Sequence, residues 1–365
     1  MRMNRRQWLK WMGTAGLPGL LAHGASCSSS PPSPDPPKKS LSLQPRQIPR
    51  AIKPPRLEPG DAVGLINPAG ASLNPAVIGS VAKNLAKLGL EIRTGRHLMD
   101  RYGYLAGRDE DRAADVNAMF ADESIRAVLP VRGGWGCNRI LPLLDYDLVA
   151  ANPKVLMGYS DITSLLLAVH SKTGLVTFHG PVGVSDWNAF TVDHVRKILF
   201  QGQAPLLVNP SHGESPGLAL SSPIHTIARG RSRGRLLGGN LSVLTAMVGS
   251  RYLPDWKGSI LFVEDVREDV YRIDRMITQL KLAGILQELR GFVFGKCTGC
   301  GGEISPNSFT LEEVLDDHIR PLGIPAWYGA MIGHIHDKLT VPVGVEAEID
   351  AGRGAIRLLE AAVAT

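Results

Sequence analysis

A serine at the end of an apolar strand is the first candidate for chemistry. The strand-like run 155–159 leads through the motif GYSDIT at 158–163 directly into a helical pattern of apolar residues. Such a strand–turn–helix lifts the Ser160 hydroxyl above the sheet and aims the first helical N–H groups at the reacting atom. Ile162 stands where the hydrolase elbow has its second glycine. Ser160 is therefore a candidate nucleophile, with helix capping by Ser160 or Asp161 as the alternative.

A glycine-rich turn follows another strand-like run. The motif RGGWG occupies 132–136, directly after the apolar residues 125–131. A phosphate cradle, part of a dinucleotide site, or an oxyanion hole built on the N–H groups near Gly133 and Gly134 would each use such a turn. The dinucleotide spacing fails because Arg139 occupies the position of its last glycine. A nucleotide-dependent oxidoreductase is accordingly disfavoured.

A serine nucleophile needs a base and an acid that orients the base. The chain has ten histidines, and their spacing does not choose among them. The best loop candidate is GHIHD at 333–337, whose two histidines are bracketed by glycine and aspartate. Glu264 ends the apolar run 260–263, where a carboxylate would be held rigidly. Three neighbouring acids are rivals, although capping of the next helix is their more usual role: Asp265, Glu268 and Asp269.

The cysteines do not form a zinc pattern. Cys297 and Cys300 make a C-x-x-C pair, and Cys137 is the only other cysteine outside the amino-terminal region. A structural zinc site takes about four ligands, so we expect no metal here. In an exported protein the C-x-x-C pair would oxidise to a disulfide with a structural role.

Composition excludes several functional classes. The 365 residues are 44% hydrophobic and 20% charged, which is typical of a globular protein, and the length predicts two domains. Four basic and no acidic residues in 1–27 account for most of the net charge of +6. The remainder has no basic stripe with interleaved aromatics, so nucleic-acid binding is not expected. No apolar run reaches the roughly 18 residues of a membrane span, which excludes a multi-pass membrane protein.

Residues 1–27 have the order of an export signal. Arg5 and Arg6 precede a short apolar run and a small-residue segment that ends at Cys27, which resembles a twin-arginine signal. Cys27 is also a candidate for lipidation, but Gly24 stands where lipoprotein signals carry an aliphatic residue. Cleavage near Cys27 and an uncleaved cytoplasmic terminus are the alternatives. We expect an exported protein, either periplasmic or anchored to the membrane facing the periplasm.

The remaining chain divides into a linker and two domains. Prolines are dense over 28–56, which favours an extended tether. Strands alternate with helices over 57–185, and this pattern predicts a parallel sheet covered on both faces. The pattern weakens over 186–225, which we interpret as the inter-domain linker, and strand-like runs return in 226–365. Predicted strands lie at 62–66, 90–93, 125–131, 155–159, 259–263, 291–294 and 355–359, and predicted helices at 75–89, 109–121, 162–170 and 268–283.

Eight segments in order resemble the LD-carboxypeptidase family, serine peptidases also called the muramoyltetrapeptide carboxypeptidase or microcin-immunity family. They cover about 57–350. The segments are YLAGRDEDRAAD at 104–115, RGGWG at 132–136, GYSDIT at 158–163, HGP at 179–181, GGNL at 238–241, FVEDV at 262–266, YRIDR at 271–275 and IGH at 332–334.

The resemblance implies a role for each catalytic candidate. Ser160 would be the nucleophile, His334 the general base and Glu264 the acid that orients it. The backbone N–H groups of Asp161 and Gly134 would form the oxyanion hole. The resemblance also implies a flavodoxin-like parallel-sheet α/β amino-terminal domain and a β-rich carboxy-terminal domain, with the active site at their junction. It further implies a homodimer, and it implies neither a metal nor a cofactor.

The resemblance also implies the substrate. Family members cut the amide between an L-centre, L-Lys or meso-diaminopimelate, and the terminal D-Ala of a cell-wall tetrapeptide. Such an enzyme must bind a free α-carboxylate, for which Arg132, Arg139 and Asn240 are candidates. The export signal and the C-x-x-C loop depart from the family pattern. Detoxification of a peptide–nucleotide antibiotic and non-catalytic muropeptide binding are the alternative functions.

Overall fold

The structure, a computed structural model, describes residues 50–72, 74–210, 223–301 and 308–364. The predicted signal 1–27, Cys27 and the linker up to residue 49 lie outside the described residues. Among the helices of the described ranges, none is both long and apolar enough to cross a membrane.

The first sheet has six strands. They are β1 Ala62–Ile66, β2 Glu91–Thr94, β3 Ile125–Pro130, β4 Val155–Gly158, β5 Thr177–His179 and β12 Val341–Val343. Their order is β12–β5–β4–β3–β1–β2, and all pairs are parallel except β5 with β12. Strands β1 and β4 are buried throughout, as expected for a parallel sheet whose two faces are both covered.

Helices connect these parallel strands, because a parallel pair requires a long crossover. They are α1 Ala76–Ala86, α2 Asp109–Ala121, α3 Cys137–Ile140, α4 Tyr146–Ala151 and α5 Thr163–Thr173. A further helix, α6 Ala189–Val195, follows β5. Short 3₁₀ turns lie at Leu141–Leu143 and Ser160–Ile162, and a π turn at Arg196–Phe200. The predicted helix 109–121 is confirmed, and its three acidic residues in the first turn favour the positive end of the helix dipole. The predicted helix 75–89 is shorter than expected and ends at Ala86.

The second sheet has eight strands. They are β6 Leu206–Val208, β7 His225–Ala228, β8 Arg231–Asn240, β9 Ile260–Val266, β10 Gly291–Thr298, β11 Ala326–Ala330, β13 Glu346–Asp350 and β14 Ala355–Leu358. Their order is β6–β14–β13–β8–β9–β10–β11–β7, with β8 to β11 parallel. The helices of this half are α7 Leu241–Ala246, α8 Val270–Leu282 and α9 Leu311–Ile319, with 3₁₀ turns at Leu286–Glu288 and Arg320–Leu322.

The expected α/β class, a parallel-sheet part followed by a strand-rich part, is confirmed by this topology. Strand β12 comes from the second half of the chain but pairs with β5 of the first sheet, with Val341 opposite His179. The segment 186–225, predicted as a linker, contains α6 and β6, and β6 pairs with β14 of the second sheet. The domain bounds 57–185 and 226–365 stay a prediction.

Candidate active site

A cavity of about 510 Å³ opens at the carboxyl ends of the parallel strands. Crevices at this edge are where open α/β sheets bind ligands. Its lining comes from the segments after β1, β3, β4 and β5, and from one loop of the second half of the chain. The lining residues are Ser72, Asn74, Val77, Arg132, Gly133, Gly134, Tyr159, Ser160, Val182, Val184 and His334. Ser160 and His334, predicted as nucleophile and base, therefore face one space.

Ser160 occupies a strained turn between β4 and α5. Its φ is 64°, a left-handed conformation that only two non-glycine residues adopt in the part of the chain described. A side chain in this region costs on the order of 1–3 kcal/mol and persists only where its surroundings enforce it. Gly133 lies against it, since a Cβ on Gly133 would be 2.9 Å from Ser160 Cβ and 3.1 Å from Ser160 Oγ. The strand end thus presents the hydroxyl to the cavity as the sequence predicts.

The predicted oxyanion donors lie on the two segments that meet at Ser160. Asp161 lies in the first turn of the 3₁₀ segment Ser160–Ile162, where N–H groups lack partners within the helix. Its N atom would be 3.5 Å from a Cβ on Gly133, so it faces the glycine-rich turn. Gly134 has a φ of 128°, a backbone conformation reserved for glycine. The two predicted oxyanion donors, Asp161 and Gly134, thus belong to adjoining segments.

The carboxylate of Asp161 does not cap the nucleophile helix. It is fully buried, and its Oδ2 accepts a hydrogen bond of 2.8 Å from the backbone N of Cys137. The burial raises the pKa of this carboxyl. Asp161 thereby ties the nucleophile turn to the start of α3.

Arg112 joins the two loops at the mouth of the cavity, a role that sequence reasoning missed. Its guanidinium is fully buried and donates to the backbone oxygen of Pro68, which follows β1. It also donates over 3.0 Å to the oxygen of Gly136, which follows β3. The only signal in the sequence was an arginine inside the segment 104–115.

His334 and Glu264 form the central pair of the site. Nδ1 of His334 is 2.8 Å from Oε2 of Glu264, whose side chain is fully buried. Burial alone would raise the pKa of Glu264, but the hydrogen bond and charge of His334 outweigh it and hold this pKa below its ordinary value. An ionised carboxylate accepts only, so Nδ1 carries a proton, and in the neutral imidazole Nε2 keeps a free lone pair. This hydrogen bond fixes the orientation of the His334 ring.

Two glycines allow this close approach. Gly333 has a φ of 112°, and a Cβ there would lie 2.4 Å from Oε2 of Glu264. A Cβ on Gly295 would lie 3.1 Å from Cβ of Glu264. Larger residues at either position would push the base loop away from the acid.

Asn240 lies behind the acid rather than on the cavity lining. It is 4% exposed, and its Nδ2 donates to Oε1 of Glu264 over 3.3 Å and to Oδ1 of Asp265 over 3.2 Å. Its Oδ1 caps α7 by accepting from the N of Val243. Its backbone N donates to Thr163 Oγ1 over 2.9 Å, which joins α5 to β8. The predicted contact of Asn240 with substrate stays a prediction.

The rival acids have other partners. Asp265 accepts hydrogen bonds of 2.9 and 2.8 Å from the N and Oγ of Ser242, so it caps α7. The sequence predicted that it would cap the helix that follows it. Glu268 lies 3.4 Å from Ser242 Oγ. Asp269 occupies the N-cap position of α8 without a side-chain hydrogen bond to the helix. The expectation of capping the next helix is therefore wrong for Asp265, because β9 lies beside β8 and directs Asp265 to the helix that follows β8.

Aromatic rings pack around the base. The ring of Tyr159 meets that of His334 edge-on at 4.7 Å between centroids, and His179 lies 6.3 Å from Tyr159. Burial lowers the pKa of His179 to about 4, so its imidazole is neutral at pH 7. Tyr159 is adjacent to Ser160 in the sequence and His179 lies in the segment HGP, and these were the only signals for them.

The predicted carboxylate-binding arginines occupy different places. Arg132 lines the cavity and donates over 3.2 Å to the backbone oxygen of Ala71. Arg139 is not among the lining residues and pairs with Asp109 over 2.9 Å. His336, the second histidine of GHIHD, is exposed and accepts from Asn188 or donates to Asp337. Arg132 is thus the predicted arginine that the cavity includes.

Comparisons with known proteins agree with this architecture. Residues 63–180 match the family model of the LD-carboxypeptidase N-terminal domain, and residues 233–349 match that of the LD-carboxypeptidase C-terminal domain. The probable murein peptide carboxypeptidase of Bacillus subtilis is 38% identical over 298 residues, covering 82% of this chain and 91% of the relative. The murein tetrapeptide carboxypeptidase of Pseudomonas aeruginosa is 34% identical over 299 residues, covering 80% and 94%.

A solved structure matches both halves of the chain. The structure of MccF in complex with glutamyl sulfamoyl guanosine aligns with a TM-score of 0.77 and 27% identity, covering 86% of this chain and 99% of that one. Sequence, fold and site point the same way. The chain belongs to the LD-carboxypeptidase family and is a peptidase.

Proposed function

We propose that this protein is a serine LD-carboxypeptidase that removes the terminal D-Ala from cell-wall tetrapeptides. Ser160 is the nucleophile, His334 the general base and Glu264 the acid that orients it. The observation that carries the proposal is that His334, hydrogen-bonded to the buried Glu264, faces the same cavity as the strained Ser160. The names of the Bacillus subtilis and Pseudomonas aeruginosa relatives support a murein peptide as substrate.

The reaction proceeds through an acyl-enzyme. Nε2 of His334 takes the Ser160 proton while Oγ attacks the carbonyl carbon before D-Ala, and the negative oxygen is stabilised by the N–H groups of Asp161 and Gly134. The C–N bond breaks as His334 returns the proton to the amine of D-Ala. Water, deprotonated by His334, then hydrolyses the ester and restores Ser160. No step requires a metal or a cofactor.

Arg132 binds the free carboxylate of the substrate in this proposal. A carboxypeptidase must recognise the chain end, and a guanidinium offers a fork of donors that matches a carboxylate. Arg132 is exposed at the cavity that contains Ser160. Its position is consistent with holding D-Ala on the leaving-group side of the scissile amide.

Detoxification of a peptide–nucleotide antibiotic is the second candidate function. It is supported by the likeness to MccF bound to an aminoacyl sulfamoyl nucleoside. In the comparison with curated proteins, the microcin C7 self-immunity protein MccF of Escherichia coli is 30% identical to this chain. The murein carboxypeptidases are 38% and 34% identical, which favours the murein substrate. The two functions share the catalytic steps and differ in the group that fills the cavity.

Export and a homodimeric state are part of the proposal. The arginine pair and small-residue segment of 1–27 support secretion by the twin-arginine route, with Cys27 as a candidate lipid attachment site. A disulfide at Cys297–Cys300 is consistent with an oxidising compartment. Fractionation of cells, mass measurement of the mature amino terminus and light scattering test these points.

Mass spectrometry of a purified tetrapeptide tests the central proposal. The full chain is incubated with the peptide in parallel with the Ser160→Ala variant. Loss of one D-Ala with the wild type alone is the expected result. Binding without release by either protein would favour a muropeptide-binding protein. Neither binding nor release would reject the murein substrate and make aminoacyl sulfamoyl nucleosides the next substrates to test.

A further inference from the structure

The C-x-x-C segment at the end of β10 contacts the loop that carries the base. Cys297 and Cys300 form a disulfide, as predicted, and close a short ring around Thr298 and Gly299. Oγ1 of Thr298 donates a hydrogen bond of 2.9 Å to the backbone oxygen of His334. The sequence assigned this segment a structural role only, and the catalytic steps above do not use it.

Thr298 connects the acid strand to the base loop. Its backbone oxygen accepts from the N of Arg267 over 2.9 Å, three residues after Glu264 on the same chain segment. Its hydroxyl reaches His334 on the other side. A second bond from the N of Lys296 to the oxygen of Ile332, 3.1 Å long, holds the same loop two residues earlier. The end of β10 therefore fixes the backbone of the base at two points.

Thr298 can hold the backbone of His334 only if its own backbone is held in place. Thr298 is exposed, so water competes for both its hydroxyl and the carbonyl of His334. Gly299 and Gly301, with φ of 68° and 90°, place little intrinsic restraint on the backbone of 299–301. The disulfide restricts that freedom, and Cys297 is itself held in register opposite Asp265 of β9. Such a covalent ring lowers the entropy cost of keeping the threonine in place.

We propose that Thr298 is a positioning residue for His334 and that the Cys297–Cys300 disulfide holds Thr298 in that role. The inference rests on the proposed function of His334 as general base. Thr298 is not among the residues that line the cavity of Ser160. It sets the backbone from which the imidazole reaches Ser160, and a small displacement of a reacting group costs rate more than binding.

Substitution of Thr298 in the full chain gives the first measurement. Thr298→Val removes the hydroxyl at nearly constant volume, and Thr298→Ser retains it. We expect kcat for D-Ala release to fall about fivefold to tenfold in Thr298→Val with KM unchanged, and to stay within about twofold in Thr298→Ser. Thr226→Val is the matched control, because Thr226 also donates to a backbone oxygen, that of Ala351, over 3.1 Å in the second sheet.

Reduction of the disulfide gives a second measurement, made on the wild type and on Thr298→Val. A water-soluble phosphine transfers two electrons to the S–S bond, each sulfur gains a proton, and the phosphine leaves as its oxide with an oxygen from water. We expect kcat of the wild type to fall by a similar factor, and that of Thr298→Val to fall no further. Equal loss in both proteins would show that the disulfide acts without Thr298 and would overturn the coupling.

Labelling by a fluorophosphonate separates this inference from the proposed function. Ser160 Oγ bonds to phosphorus as fluoride leaves, so the rate reports base-assisted attack whatever the natural substrate. A wild type that neither releases D-Ala nor labels at Ser160 would overturn the proposed function and this inference with it. If the wild type is labelled and Thr298→Val is labelled at the same rate, this inference alone is overturned. Slower labelling of Thr298→Val, restored in Thr298→Ser, would support it.

Discussion

His334 and Glu264 are 70 positions apart in the chain, yet Nδ1 of the first lies 2.8 Å from Oε2 of the second. Glu264 comes from β9 at the centre of the second sheet, and His334 from the loop between β11 and β12. The carboxylate is fully buried, and its hydrogen-bonding partners are the base and Asn240. The pair therefore depends on the folded arrangement of the second half of the chain.

Glu264→Gln is expected to reduce kcat by about 10²- to 10⁴-fold. An amide NH₂ facing Nδ1 favours the tautomer that leaves Nε2 protonated and unable to accept the serine proton. Steady-state kinetics with the tetrapeptide measure the loss. Asp265→Asn is the matched control, since Asp265 is an equally buried neighbour that bonds Ser242 instead. A similar fall in kcat for both variants would refute the special role of Glu264.

Ser160→Ala and Ser160→Gly are expected to lose activity alike, by at least about 10³-fold in kcat. They should differ in stability, because φ of 64° suits glycine and strains alanine. We expect the free energy of unfolding of Ser160→Gly to exceed that of Ser160→Ala by about 1 kcal/mol. Urea titration measures this difference. Equal stability of the two variants would mean that the turn holds no strain.

Gly333→Ala is expected to lower kcat by at least about tenfold. The added Cβ would lie 2.4 Å from Oε2 of Glu264, so the base loop or the acid must shift. Gly323→Ala is the control: Gly323 also has a positive φ, of 66°, but a Cβ there meets nothing within 4 Å. Both variants should lose about 1 kcal/mol of stability from backbone strain. The proposal for Gly333 fails if the two have the same kcat.

Arg132→Met is expected to raise KM for the tetrapeptide by about 10- to 100-fold, as expected for loss of a charge-assisted pair with the substrate carboxylate. Arg139→Met should leave KM unchanged, because Arg139 pairs with Asp109 away from the cavity lining. With a tetrapeptide amidated at its carboxyl end, the KM values of the wild type and Arg132→Met should differ less. If they differ as much as with the free acid, the substrate carboxylate does not bind Arg132.

Acid is expected to destabilise the fold through buried histidines. Burial lowers the pKa of His170 to about 4 in the folded protein, against about 6.5 in the unfolded chain. Between these values the unfolded state binds the extra proton, so stability rises with pH and is lost as pH falls from 7 towards 4.

Urea titrations at pH 7 and pH 5 test this pH dependence on the wild type and on His170→Gln. The variant should lose about 2 kcal/mol less than the wild type between the two pH values. If the wild type and His170→Gln lose the same stability between pH 7 and pH 5, the pKa of His170 is the same in the folded and unfolded states.

Local pattern predicted strands β1 to β4 of the first sheet and missed β5 and β12 at one side of it. The apolar runs of β1, β3 and β4 and the helix Asp109–Ala121 carry their own signals. Strand β12 has three residues, one of them proline, and becomes a strand only because β5 lies beside it. Strands β5, β6, β7, β8, β11 and β13 and the short helices were likewise not predicted, since partners rather than propensity define them.

The site was predictable to a different extent. The turn at Ser160 has a local signature, but residues alone left His334 and Glu264 among several candidates, and only the resemblance chose them. Their meeting depends on strand order and on the glycines at 295 and 333, which are long-range features. The contact of Thr298 with His334 joins the end of β10 to a loop 36 positions away, and no sequence spacing indicates it.

The exchange of β12 determines how this chain can be divided. The loop with His334 leaves the second sheet at β11 and enters the first sheet at β12, beside the strand that ends in His179. If the chain is cut between its two halves, the second fragment carries both His334 and β12, an edge strand of the first sheet. The first piece would then lack an edge strand of its sheet. A break placed after β12 would leave that sheet whole but would separate β13 and β14 from the second sheet. The segment from the His334 loop to β12 therefore limits where the gene can be split, and it also carries the proposed base.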